Sequence, residues 1–273
     1  MEKIFRLKKM VLLTLPLAVL IAISSIIGIL FENIYWQEVP EYAAQGIGQD
    51  IINLIVLVPI LFVAAVSIIR GSKSWLFVWL GGLMYSVYSY TVYCFGVHFN
   101  ALFLVYCGIL GLSFYLSIGF LISTDAEIIK SWFDDKTPIK IPTVFLCVVA
   151  ALFYVIWLSE VIPAIINGKV PESVKESGLI TSPIHVLDIA IVLPGLIISA
   201  VLLKKKQALG YVLAPSFMIF AILMALAIGG IIAVMNFRGF DVDLSLTIIF
   251  ALIAIVSGVV FIAFTKHLKK LKG

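Results

Sequence analysis

Polar side chains are sparse along this chain, and their positions cut it into long apolar stretches. Eight can be marked, at residues 10–30, 51–69, 74–96, 101–123, 141–162, 183–203, 210–234 and 244–265. Each holds about 20 residues, enough to cross ~30 Å of hydrocarbon at 1.5 Å per helical residue. A membrane β-strand would instead alternate apolar and polar positions over short segments, and residues 248–264 show no such alternation. Internal prolines and glycines are compatible with membrane helices, because neighbouring helices satisfy the backbone groups they release. The pattern predicts an all-α, polytopic transmembrane helical bundle of eight spans.

Composition narrows the setting further. The chain has 273 residues, 63% of them hydrophobic and only 12% charged, with a mean hydropathy of +1.18. Soluble domains carry roughly 25% charged residues. This excludes a soluble enzyme, a disordered regulator and a secreted disulfide scaffold. The first run follows Lys3, Arg6, Lys8 and Lys9 as a signal peptide would. Its core is long and no small-x-small cleavage site follows, so it reads as a retained span.

Of the 19 lysines and arginines, 16 fall in the N-terminus, the C-terminus and the alternate loops joining them. Only Lys169, Lys175 and Arg238 fall on the other side. The positive-inside rule then predicts two cytoplasmic termini in the cell membrane. The net charge of +4 and the basic tail Lys266-His267-Leu268-Lys269-Lys270-Leu271-Lys272 match anchoring at anionic headgroups rather than nucleic-acid binding.

Two segments resemble each other at an offset of 135. Asp50, Asn53 and Pro59 correspond to His185, Asp188 and Pro194, and Arg70 to Lys205. Upstream, Val39-Pro40-Glu41 matches Val170-Pro171-Glu172. These matches predict one integral membrane domain over 1–273 with repeat halves 1–135 and 136–273. Four spans per half would give a 4+4 parallel repeat about an axis along the membrane normal.

An ionisable group within a span costs ~2.5 kcal/mol or more, and it normally faces the bundle interior beside a partner. Asp188 lies about 7 Å below the outer surface at standard helical rise, with His185 three residues earlier on the same face. Asp50 and Asn53 repeat the arrangement on the second span. Glu160, His98 and Tyr93 gather at the same outer depth, whereas the inner two-thirds are almost pure hydrocarbon. An outward-facing polar pocket between spans two and six, closed below by apolar packing, is expected.

The favoured reading is binding or transport of a small polar or cationic solute by Asp188, His185, Asp50, Asn53, Glu160, Tyr93 and His98. His185 can couple it to protons. One alternative is a metal-dependent membrane-embedded hydrolase, with His185, Asp188 and Asp50 holding a divalent metal such as zinc. Others are a haem pair at His98 and His185, or a structural, assembly or sensory role without catalysis. Apart from the lipid bilayer, partners would be such a solute, a second copy of the chain or another membrane protein. Standard catalytic signatures are absent: no His-Glu-x-x-His, Gly-x-Ser-x-Gly or phosphate-loop motif occurs. Cys94, Cys107 and Cys147 form no Cys-x-x-Cys pair and read as small apolar fillers.

Overall fold

A computed structural model describes residues 10–269. The basic residues before Met10, and Lys270 and Lys272 of the tail, lie outside the described residues. The long helices are α1 (Thr14–Leu30), α2 (Pro40–Ile69), α3 (Ser74–Gly96), α4 (Phe103–Ser123), α6 (Lys140–Ile166), α8 (Pro183–Lys204), α9 (Ala208–Phe237) and α10 (Leu244–Thr265). Short helices α5 (Ala126–Ser131) and α7 (Glu172–Glu176) sit in the connections, and a 3-10 turn covers Glu32–Tyr35. No strand occurs among the described residues; one isolated bridge pairs Phe133 with Leu268.

Seven of the long helices are long and apolar enough to cross a membrane, so the protein is a helical membrane bundle. The exception is α3, whose tryptophans, tyrosines and serines lower its hydropathy. Its polar side chains are covered by protein: Trp79, Tyr85, Tyr90 and Ser86 are fully buried. At the opposite extreme, α10 buries only 11% of its apolar window and lies against α9 at the margin.

Sequence expectation and structure differ most in α2. The apolar run begins near Ile51, but the helix starts at Pro40 and runs for 30 residues. Proline at the first helical turn suits the start, because its missing N–H would be unpaired there anyway. Gly46-Ile-Gly48 lies inside this helix. Gln45 and Gln49 lie along a cavity, so polar composition at this end reflects an interior face. Ser182 caps α8 by accepting the His185 N–H at 3.1 Å.

Two helices widen to a π-turn at matching places, Asn53–Leu57 in α2 and Asp188–Val192 in α8. Each π-turn is followed at its second residue by a proline, Pro59 or Pro194. Proline clashes with the carbonyl four residues earlier and donates no hydrogen bond to it, and a π-turn is one way a helix accommodates that defect. Both helices end alike: Gly71 has φ +93° and Lys206 φ +54°, each 135 residues from the other.

Small residues set the close contacts between helices, as expected where packing rather than hydrophobicity drives association. A Cβ on Gly81 of α3 would stand 2.6 Å from the Ser216 carbonyl of α9. Gly48 packs on Gly230 and Ile231, and Gly96 packs on Pro183. The members correspond at the same 135 offset: Gly81 to Ser216, Gly48 to Pro183, and Gly96 to Ile231.

Candidate functional site

The expected polar residues lie towards the lysine-poor end of the bundle, but they do not converge on one point. Asp50 is fully buried on α2. Its Oδ2 accepts the Tyr35 hydroxyl at 2.5 Å and its Oδ1 accepts the Tyr93 hydroxyl at 2.9 Å. Burial, then the facing Asp50 carboxylate, pushes the Tyr35 phenol well above its ordinary pKa. It therefore stays protonated and remains a donor. Tyr93 stacks with Tyr90 at 5.2 Å and lies 5.0 Å from the Tyr106 ring. Asp50 is thus walled off within the first four long helices, correcting the expectation that it joins Asp188 and His185.

Asn53 forms a separate group with Gln49 and Tyr85. Gln49 donates to Asn53 Oδ1 at 3.1 Å and hydrogen-bonds the Tyr85 hydroxyl. Tyr85 also donates to Asn53 Oδ1 at 3.1 Å.

The third group belongs to α6 and α8. Asp188 Oδ2 accepts the Trp157 Nε1–H at 2.8 Å, and Tyr88 of α3 faces the same carboxylate. His185 packs edge-on against Trp157, with ring centroids 4.7 Å apart. Its Nε2 lies 3.6 Å from Glu160 Oε2, while Glu160 Oε1 accepts the Ser173 N–H at 3.0 Å. His98 stands apart, at the rim. Glu38 takes the His98 backbone N–H at 2.7 Å and meets its Nδ1 at 2.9 Å.

A cavity of about 490 Å³ lies between α2, α3, α6, α8, α9 and α10. Ligand sites are typically ~300–1,000 Å³, mostly apolar, with a few placed polar groups. Glu38, Gln45 and Gln49 line it from the helix-connecting end, and Asp188, Tyr88, Tyr93 and Trp157 line its flanks. Below them the wall is apolar, with Leu196, Ala221, Ala225, Phe153 and Phe250. No lysine, arginine or histidine lines it among the described residues.

Of the expected site residues, only Asp188 and Tyr93 line this cavity. Asp50 is hydrogen-bonded to Tyr35 and Tyr93, which do line it, and His185 packs on the lining Trp157 with Glu160 beside its Nε2. Among the described residues, no group of three or more His, Cys, Asp or Glu is placed to hold a metal ion. His98 and His185 belong to different groups, one bound to Glu38 and one beside Glu160.

Glu38, Trp157, Tyr88 and Gln49 are among the lining groups outside the expected site set; Tyr88 reads from sequence as helix packing and Glu38 as an outer-loop acid. Gln49 had a readable signal, four residues before Asn53 on the same helical face. Trp157 sits one turn before Glu160, but an aromatic near a membrane surface is ordinary. Glu38 sits in a Trp-Gln-Glu-Val-Pro connection with nothing to distinguish it from a solvated loop.

No family model, no curated protein and no solved structure matches this chain.

Proposed function

We propose that this chain is an eight-span protein of the cell membrane that binds a small solute from the outer face and transports it inward. Both termini are cytoplasmic in this reading, and residues 1–135 and 136–273 form parallel halves. The matched π-turns and the paired contacts at an offset of 135 support the duplication. The loops at the cavity end carry only Lys169, Lys175 and Arg238, which supports placing that end outside.

The observation that carries the function is the 490 Å³ cavity with the Asp188 carboxylate on its wall and no basic side chain beside it. Its lining refines the solute: an apolar body with a cationic group. Two carboxylates, Asp188 and Glu38, supply negative charge, and Trp157, Tyr88 and Tyr93 supply rings for cation–π contact. His185, one turn from Asp188, is the group that would link binding to protons. Inward release would need one half to rock against the other along the α3–α9 contact, as in repeat-built transporters.

Tetraphenylphosphonium and tetraphenylborate test this reading, being alike in shape and opposite in charge. Protein in nanodiscs should bind the cation saturably above empty discs and leave the anion at background. Asp188→Asn should weaken the cation roughly tenfold with an unchanged yield of folded protein. Equal binding of both ions, or equal loss of folding and binding, would count against it.

A further inference from the structure

Asp50 is a carboxylate set fully inside the first four helices, and the cavity does not use it directly. Among the described residues no basic side chain is recorded against it: its surroundings are the hydroxyls of Tyr35, Tyr93 and Ser25. More hydroxyls gather there than the carboxylate needs. Ser24 and Ser25 of α1, Tyr90 of α3 and Tyr106 of α4 are each at most 1% exposed. All four side-chain oxygens are buried without a hydrogen-bond partner. Tyr90 faces Ser24, Ser25 and Asp50, and Tyr106 faces Asp50 and Tyr35.

Buried hydroxyls that face a carboxylate and one another without well-formed hydrogen bonds are costly in a dry interior, since each unmade hydrogen bond costs about 1–3 kcal/mol. A proton on Asp50 would neutralise its charge and supply one donor, leaving the remaining lone pairs unused. A small hard cation would use them all, because such ions take carboxylate, hydroxyl and carbonyl oxygens together. The helix that carries Asp50 also departs from regular geometry nearby, widening to a π-turn at Asn53–Leu57, which begins three residues after Asp50. The packing is tight on one side, where a Cβ at Gly28 would overlap the Asp50 carboxylate.

We propose that Asp50, Ser24, Ser25, Tyr90 and Tyr106 form a buried site for one sodium ion. The site stands on the first-half helices alone and does not depend on what occupies the larger cavity. Its ion would cross-link α1, α2, α3 and α4.

The test uses the full chain in nonionic detergent, with sodium, potassium or N-methylglucamine chloride at matched ionic strength. Sodium should raise the unfolding temperature saturably, as a ligand that binds only the folded state does. Radioactive sodium should bind at one ion per chain. Asp50→Asn should remove both effects. If that variant does not fold, Ser24→Ala with Ser25→Ala supplies the measurement, with an expected loss of sodium affinity of roughly tenfold or more. Identical unfolding temperatures in the three salts would overturn the site. Stabilisation by lowered pH without any sodium dependence would overturn it too, and would make the cluster a proton store.

Discussion

Residues 135 apart take matching places in α2 and α8 and in α3 and α9, but they carry different side chains. Where the first half has Tyr90 and Tyr93 on α3, the second half, 135 residues on, has Ala225 and Ile228 on α9. In the first, three tyrosine rings close over Asp50. In the second, the smaller side chains leave a cavity bordered by Asp188. The polar pairs differ in the same sense. Asp50 corresponds to His185, Asn53 to Asp188 and Ser25 to Glu160, so one set places hydroxyls around an acid and the other sets a histidine beside a glutamate and a tryptophan N–H on an aspartate. The rings close off the surroundings of Asp50, while the cavity lies between them and the smaller side chains of α9, with Tyr93 bordering both.

The most severe way to break this contrast is to exchange the contents. Ala225→Tyr with Ile228→Tyr should fill the cavity and lower tetraphenylphosphonium binding in nanodiscs by about a hundredfold, ~2.7 kcal/mol. The reverse exchange, Tyr90→Ala with Tyr93→Ile, should destabilise the protein by about 3 kcal/mol or more in reversible unfolding, as large core truncations do. Retained binding in the first variant, or unchanged stability in the second, would dissolve the distinction between a packed half and a hollow one.

The contact between the halves comes next. Gly81→Leu places side-chain atoms where the Ser216 carbonyl and Ile219 already stand. Overpacking of this kind costs typically 1–3 kcal/mol, read as a lower midpoint of thermal unfolding. A stable Gly81→Leu protein would mean that α3 and α9 separate readily.

A smaller and more diagnostic pair is Asp188→Asn against Tyr93→Phe. The first should weaken cation binding roughly tenfold, with the smaller effect on stability, because Asn keeps an oxygen to accept the Trp157 N–H. The second removes one hydroxyl from Asp50 and should cost about 0.6–1.7 kcal/mol of stability, the range for hydrogen bonds between membrane helices. Opposite readouts from the two variants are the expected signature of the two halves.

The helical membrane bundle can be read from the sequence, because oil imposes a simple rule: apolar runs long enough to cross it. The correspondence of Asp50, Asn53 and Pro59 with His185, Asp188 and Pro194 likewise marked the two segments where the helices widen. Three features resisted. The start of α2 at Pro40 was hidden because Gln45 and Gln49 line a cavity, and their polarity imitates a loop. The separation of Asp50 from Asp188 was hidden because depth along a span says nothing about which neighbour a side chain faces. The hollow itself was illegible: Ala225 and Ile228 look like any other lipid-soluble residues until Tyr90 and Tyr93 are seen in the matching place.

His98 offers the finest adjustment of the contrast. Its ring meets Glu38 at 2.9 Å, but the ring is 47% exposed while the Glu38 side chain is 1% exposed. His98→Ala would leave Glu38 its bond from the His98 backbone N–H, which the substitution retains. The loss should therefore be that of one ordinary hydrogen bond, about 1 kcal/mol, with cation binding changed less than threefold, under ~0.7 kcal/mol. Glu38 and Asp188 both line the cavity, so this variant also ranks them. Should His98→Ala weaken tetraphenylphosphonium more than Asp188→Asn does, the cation would sit at the Glu38 rim, and the deep wall at Asp188 would serve only its apolar body.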